Sequence, residues 1–314
     1  MTTAPTEIYA DWHTCNRIPL ELGEGPRTLT DGRVLAVDIL RGQLWQVNLA
    51  SPDEATLLDE LPVPLGAVAP MAGSDTALLA AAGEGIAILD GGTLTWLSPP
   101  RIPSHVSAEG ETPMALRMND AVCDPAGRFW AGTMALDATP GAGALHRVNT
   151  DGSISTVLTG LNIPNGPAFT TDGSLMYLAD SAAGTITRYD VDPESGELGH
   201  RHTFVTVSDG SPDGMITDAE DHLWVAIWGT GRIHRYRPDG TLDRILHVPA
   251  QQPTSICFAG DSMTTLVVTT ASIGLDSPGA FDGLIVCTDV GVAGRPALPA
   301  RLTSAQTATS SWSP

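Results

Sequence analysis

One unit of sequence returns six times along the chain, and no other feature restricts the fold as tightly. A polar or small residue opens each copy, and a short apolar run, a turn carrying Gly or Asp, and a second apolar run follow. The clearest copies are EGPRTLTDGRVLAVD from Glu24, NDAVCDPAGRFWAGT from Asn119, NGPAFTTDGSLMYLAD from Asn165 and DGMITDAEDHLWVAIW from Asp213. Weaker copies begin at Gly66 and Thr254. Pairs such as GTITRYDVD (Gly184 to Asp192) and GRIHRYRPDG (Gly231 to Gly240) come after them. The runs are rich in Val, Ile, Leu, Thr and aromatics, with Asp-Gly and Gly-Gly between them. These are strand and hairpin signals, and no long 3.6-residue period competes with them. A spacing of roughly 40 to 50 residues is that of a four-stranded blade. The sequence therefore predicts an all-β chain folded as a six-bladed β-propeller.

No linker or shift of composition interrupts the repeats, so residues 1–314 read as a single domain. The apolar runs around Ile8 to Trp12 and Leu284 to Thr288 are expected to pair within one blade and close the ring. From about Pro296 the periodicity ends (TSAQTATSSWSP), which reads as a loose C-terminal tail.

Composition narrows the function. The 36 acidic and 16 basic side chains give a net charge of -20, a surface that repels nucleic-acid phosphates and anionic membranes. Every one of those basic residues is arginine, which excludes Schiff-base chemistry and a P-loop. Cys15, Cys123, Cys257 and Cys287 form no CxxC pair and read as buried free thiols. The N-terminus lacks the basic start and apolar run of a signal peptide, and no apolar stretch is long enough to span a bilayer. The expectation is a soluble, cytoplasmic protein without nucleic-acid or membrane partners; the sequence implies no oligomeric state.

Superposing the copies brings Glu24, Asn119, Asn165 and Asp213 to one repeat position, each eight residues before Gly32, Gly127, Gly173 and Asp221. In a propeller the first strand of each blade lines the channel, so equivalent positions converge at one end of the axis. Asn-Gly and Asp-Gly are also common turn dipeptides, and each pair alone reads as a turn. Four oxygen donors in register read instead as a ring suited to a hard divalent cation. Gly66 and Thr254 hold the position in the other two blades, which predicts one side of the ring open to water and substrate.

The loops after each second strand should lie at the same end, with Asp38, Met134 to Asp137, Asp180, Trp228 and Ser272. Asp38 and Asp180 fit either carboxylates behind the ring or caps of strand ends. Arg117, two residues before Asn119, could direct its guanidinium at a substrate oxygen. Ser181 and Ser272 lack a nucleophile-elbow pattern. His200 and His202 read as exposed strand residues, and no histidine motif for zinc is present. Trp45, Trp130 and Trp224 read as inter-blade core at equivalent or nearly equivalent positions.

The motifs LGEGP (Leu22 to Pro26), RMND (Arg117 to Asp120), DPAGRFWAGTM (Asp124 to Met134), IPNGPAF (Ile163 to Phe169) and SPDGM (Ser211 to Met215) resemble those of the senescence-marker-protein/gluconolactonase/luciferin-regenerating-enzyme family. The resemblance runs from about Glu21 to Pro299. It implies a propeller with one divalent metal in its channel, held by Glu24, Asn165 and Asp213. It also implies that Arg117 contacts substrate and that Asn119 contacts substrate or metal. Members typically hydrolyse lactones, and relatives of the same architecture hydrolyse organophosphates. Three departures bear on substrate: Met118 stands where an aromatic residue is usual, Asp137 represents a usual glutamate that binds substrate, and Arg27 to Leu29 replace a common Val-Trp.

These observations lead to a metal-dependent lactonase as the expected activity, acting on a small lactone or ester. The cation, Ca²⁺ first and Zn²⁺, Mn²⁺ or Mg²⁺ after it, would polarise the carbonyl, with Asp213 as the base that activates water. The competing readings are another ester or organophosphate hydrolase at the same site, a propeller repurposed in biosynthesis, and a non-catalytic calcium-binding propeller.

Overall fold

The computed structural model describes residues 4–97 and 114–303. Its strands form six sheets that make a six-bladed β-propeller; four run in chain order from the axis outwards, and the other two carry an N-terminal strand on the outside. The innermost strands are Gly23–Thr28, Leu65–Pro70, Leu116–Cys123, Pro164–Phe169, Ser211–Thr217 and Pro253–Ala259. We number the blades 1 to 6 in that order.

Every innermost strand carries a one-residue bulge at the same place. In blade 1 Glu24 faces Val37 but Arg27 already faces Leu35, and the same slip follows Met118, Asn165 and Pro212. Blades 2 and 6 slip between Leu65 and Ala67 and between Pro253 and Ser255. A bulge bends its strand and re-aims the side chains beside it, so the repeat position becomes a set of groups turned to the axis. The residue eight positions on is the left-handed corner of the following hairpin: Gly32 (φ 87°), Gly127 (φ 88°), Gly173 (φ 70°) and Asp221 (φ 57°). Glycine takes that conformation freely and aspartate tolerates it, which is why these turns kept their residue types through the repeats.

The core lies between blades. Leu35, Val37 and Leu44 of blade 1 pack on Val68, Ala80 and Ala82 of blade 2. Ile233 and Leu246 of blade 5 meet Phe258 and Val268 of blade 6. Burying each such aliphatic or aromatic side chain stabilises the ring by roughly 1.5–3 kcal/mol. Trp130 and Trp224 occupy equivalent second-strand positions and donate to Asp124 and Asp218, each over 2.9 Å. Trp45 differs from them. It stands on the third strand of blade 1 and donates to Gln43.

Closure departs from the expectation in detail. The outermost strand of blade 6 is His13–Thr14, antiparallel to Val286–Asp289 with His13 opposite Cys287. Ile8 and Tyr9 pair instead with Leu246 and His247, as a parallel fifth strand on blade 5. The N-terminal segment thus ties two neighbouring blades.

The segment from Pro296 is not loose up to Thr303. It runs across the turns of blades 1 to 3: the N–H groups of Ala297, Ala300, Arg301 and Thr303 donate to the carbonyls of Thr28, Pro70, Gly127 and Thr150. Ala300 is fully buried. Backbone bonds hold this segment, and they need no apolar period, so no sequence pattern announced it. The rest of the expected tail, 304–314, lies outside the described residues. The four cysteines are buried and free, as expected. No described helix is long and apolar enough to cross a membrane.

Candidate metal and lactone site

At one end of the axis lies a cavity of about 250 Å³ lined by Glu24, Arg117, Asn119, Asn165, Ser181, Ser211 and Asp213, with Leu22, Ile39, Met134, Ile163, Ala182, Trp228 and Ile273 as its apolar wall. The bulges of blades 1, 3, 4 and 5 bring the four in-register residues here. Among the described residues, blades 2 and 6 add no polar group to the lining. A side chain on Gly66 would run into the Asn119 carbonyl, and Thr254 is buried, donating to the Gly23 carbonyl at 2.6 Å. At both positions strand-to-strand packing takes the place of an oxygen donor.

A chain of hydrogen bonds runs round the wall. Arg117 Nη1 donates to Asn119 Oδ1 at 2.7 Å, and Asn119 Nδ2 donates to Asn165 Oδ1 at 2.7 Å and to the Pro164 carbonyl at 3.0 Å. Asn165 Nδ2 donates to Ser181 Oγ at 2.8 Å, and Ser181 donates to the Pro212 carbonyl at 2.6 Å. Asn119 spends its oxygen and its nitrogen on protein partners. Among the described residues Arg117 makes its hydrogen bonds through Nη1 alone, which leaves Nε and Nη2 for a ligand.

The two facing carboxylates are starved of compensation. Burial, and then the charge of Asp120, push Glu24 up to about 8, against the Gly25 N–H, Arg27 and Arg117. Burial also raises Asp213 well above the carboxylate range, with the charges of Glu24 and Asp120 adding to it. Desolvation brings Arg117 down to about 10, although Glu24 and Asp213 hold it up. Three buried carboxylates thus meet two guanidiniums. Two carboxylates and an amide oxygen at one cavity, with more negative than positive charge, match the donor set of a hard divalent cation.

Asp120 is the group that sequence reasoning missed. It sits behind the ring, accepting from Ala121 N–H, Gly166 N–H and Arg27 Nη2. Its repeat equivalents are Gly25, Gly166 and Gly214, and a carboxylate among glycines was the available signal. Ser181 is the other. It lacks a nucleophile-elbow pattern, and its hydroxyl is committed to the wall.

Asp137 does not reach the cavity. Its side chain is exposed and turns back on Thr139, accepting from the N–H at 3.0 Å and the hydroxyl at 2.7 Å, a local turn that competes with any reach inward. Asp38 and Asp180 are caps: Asp38 accepts from the N–H of Glu21 and Leu22, and Asp180 from those of Asn162 and Ile163. Both hold the loop that enters the innermost strand. His200 and His202 are exposed, as expected.

Two other places in the fold hold a carboxylate group or a cavity. Asp218, Glu220 and His222 approach one another, but Arg235 donates to both carboxylates, at 2.7 and 3.0 Å, so their charge is already met. A second cavity, about 210 Å³, lies at the turn end under Arg295 to Leu298; its walls include Val122, Phe169, Met215 and Ile216, and no group of carboxylates converges there.

The chain is similar to known proteins over most of its length. The family model described as SMP-30/Gluconolactonase/LRE-like region matches residues 22–272. The pentonolactonase XacC of Haloferax volcanii is 34% identical over 292 residues, 88% of this chain and 93% of that one. The crystal structure of a calcium-binding protein, regucalcin, from Agrobacterium tumefaciens superposes with a TM-score of 0.84 at 31% identity, covering 95% of this chain and all of the other. A luciferin-regenerating enzyme superposes with a TM-score of 0.81 at 26% identity, over 93% of this chain and 100% of that one. The chain belongs to the SMP-30/gluconolactonase/LRE-like family.

Proposed function

We propose that this protein is a lactone hydrolase dependent on one divalent cation, held by Glu24, Asn165 and Asp213. The observation that carries the reading is the meeting of those three donors with Arg117 in one cavity. The similarity to a pentonolactonase over most of both chains supports the reaction class, and the calcium-binding relative supports Ca²⁺ ahead of Zn²⁺, Mn²⁺ or Mg²⁺. When bound, the cation supplies a Lewis acid for the carbonyl oxygen.

The chain's own groups account for the rest. Nε and Nη2 of Arg117 orient the ring and exocyclic oxygens of the substrate. Asn119 holds the guanidinium on one side and Asn165 on the other, so it positions both. Asp213 accepts a proton from the attacking water at its carboxylate and returns one to the ring oxygen as it leaves. The charge of Arg117, which opposes the upward push of burial on this side chain, favours the unprotonated form that a base needs. The apolar wall of Leu22, Ile39, Met134, Ile163, Trp228 and Ile273 favours a second reading at the same site, hydrolysis of alkyl or aryl esters.

The test is proton release from sugar lactones, alkyl lactones and aryl esters, with chelator-stripped protein and with protein reloaded with each cation. Cation-restored opening of lactones is the expected result. Ester turnover without lactone turnover would select the second reading. No turnover with any cation would end both.

A further inference from the structure

Two groups in the wall are one-way. A guanidinium only donates hydrogen bonds, and a backbone carbonyl only accepts them. The chain from Arg117 to the Pro212 carbonyl has one at each end, so the direction of every link between them is determined. Arg117 requires an oxygen from Asn119, and Asn119 therefore turns its NH₂ to Asn165. From the other side, the Pro212 carbonyl at 2.6 Å takes the Ser181 proton. Ser181 Oγ can then only accept from the residue facing it, at 2.8 Å, and Asn165 must present its NH₂ there. Both ends give Asn165 the same orientation, Nδ2 on Ser181 and Oδ1 on the side of Asn119. An asparagine amide has two orientations of nearly equal shape, and only the one whose oxygen is free of the wall's acceptors can hold a cation.

We propose that Ser181 is a positioning residue that locks the Asn165 amide with its oxygen available to the cation site. Ser181 itself touches neither cation nor substrate in this role. The oxygen has two lone pairs and Asn119 takes one, which leaves one for the cavity. Without the hydroxyl, the Asn165 NH₂ loses its acceptor and the amide is held from one side alone. The site then costs more to assemble. A residue that orients a metal ligand in this way commonly contributes about 10- to 100-fold to affinity.

The test uses the full chain with Ser181→Ala and Ser181→Cys, the second keeping the volume of the side chain filled. Calorimetric titration with calcium chloride should show affinity weaker by about 10- to 100-fold in both. Independently of any cation, the Asn165 side-chain NH₂ resonances, assigned by their loss in Asn165→Asp, should exchange slowly with solvent in the parent protein. They should shift and exchange faster in both variants. Unchanged Asn165 resonances would overturn the proposal, and so would unchanged calcium affinity in a protein that binds calcium. A parent protein that takes up no calcium would overturn the cation reading above, and the amide resonances would then decide the role of Ser181 alone. A loss of melting temperature without either change would mark the serine as structural only.

Discussion

At the residue scale, the site stores electrostatic stress in Glu24 and Asp213. Replacing Asp213 with Asn removes a desolvated carboxylate, so the cation-free protein should melt no lower than the parent, while lactone turnover falls by roughly 10²- to 10⁴-fold, the usual contribution of a general base. Calorimetric melting beside proton-release assays checks both halves, and retained turnover would remove Asp213 from the base role. Glu24 gives a pH signature. Its carboxyl is pushed up to about 8 in the folded chain and stands near 4.3 when unfolded. Between those values the folded state keeps a proton that the unfolded state has lost, so Glu24 lowers the stability of the cation-free protein as pH rises through the window. Against Glu24→Gln, the parent should therefore lose relative stability from about pH 4.3 to about 8 and level off above it. Urea unfolding of both proteins across that range measures it; a flat difference would mean that Glu24 is not desolvated.

At the element scale, the one-residue bulge of the innermost strands matters most. It made the ring of Glu24, Asn119, Asn165 and Asp213 readable in the sequence, because a repeated backbone kink sets a side chain at the same repeat position in each blade. It also explains what the pattern concealed. Gly66 occupies the ring position in blade 2 because the Asn119 backbone leaves no room for a Cβ. Gly66→Ala should force the strands of blades 2 and 3 apart and cost about 1–3 kcal/mol, as overpacking does. The Asn119 bonds should loosen with it, so turnover should fall although no group of the site has changed. Chemical denaturation and the lactone assay together test this, and a variant equal to the parent in both would show that the strands yield freely. Asp137 is the opposite lesson. The repeat placed it at the right end of the molecule, but a two-residue bond to Thr139 decided where its carboxylate points, and local turns of that kind leave no periodic trace.

At the scale of the whole molecule, the ring is held shut by segments that are not blades. His13–Thr14 completes blade 6, Thr6–Tyr9 extends blade 5, and the segment from Ala297 to Thr303 crosses the turns of blades 1 to 3. Ending the chain at Arg295 removes those cross-links and uncovers the apolar cavity under Arg295 to Leu298. The melting temperature should fall by on the order of 5 °C, given that each kcal/mol shifts a chain of this size by only a few degrees. Scanning calorimetry of the shortened protein decides it; an unchanged transition would return the segment to the status of a loose tail. The repeats, the strand content, the closed ring, the placement of four polar groups at one end of the axis and the family's motifs were all determined by the sequence itself, because a 40- to 50-residue period and a repeated bulge are written in residue types. Tertiary structure alone decided which way the Asn165 amide faces, that Asp120 stands behind the ring, that Asp137 stays outside, and how the last described residues tie three blades together. Those outcomes depend on hydrogen bonds whose spacing varies from two positions, between Asp137 and Thr139, to 269 positions, between Thr28 and Ala297, and bonds of such unequal reach impose no period on the chain that makes them.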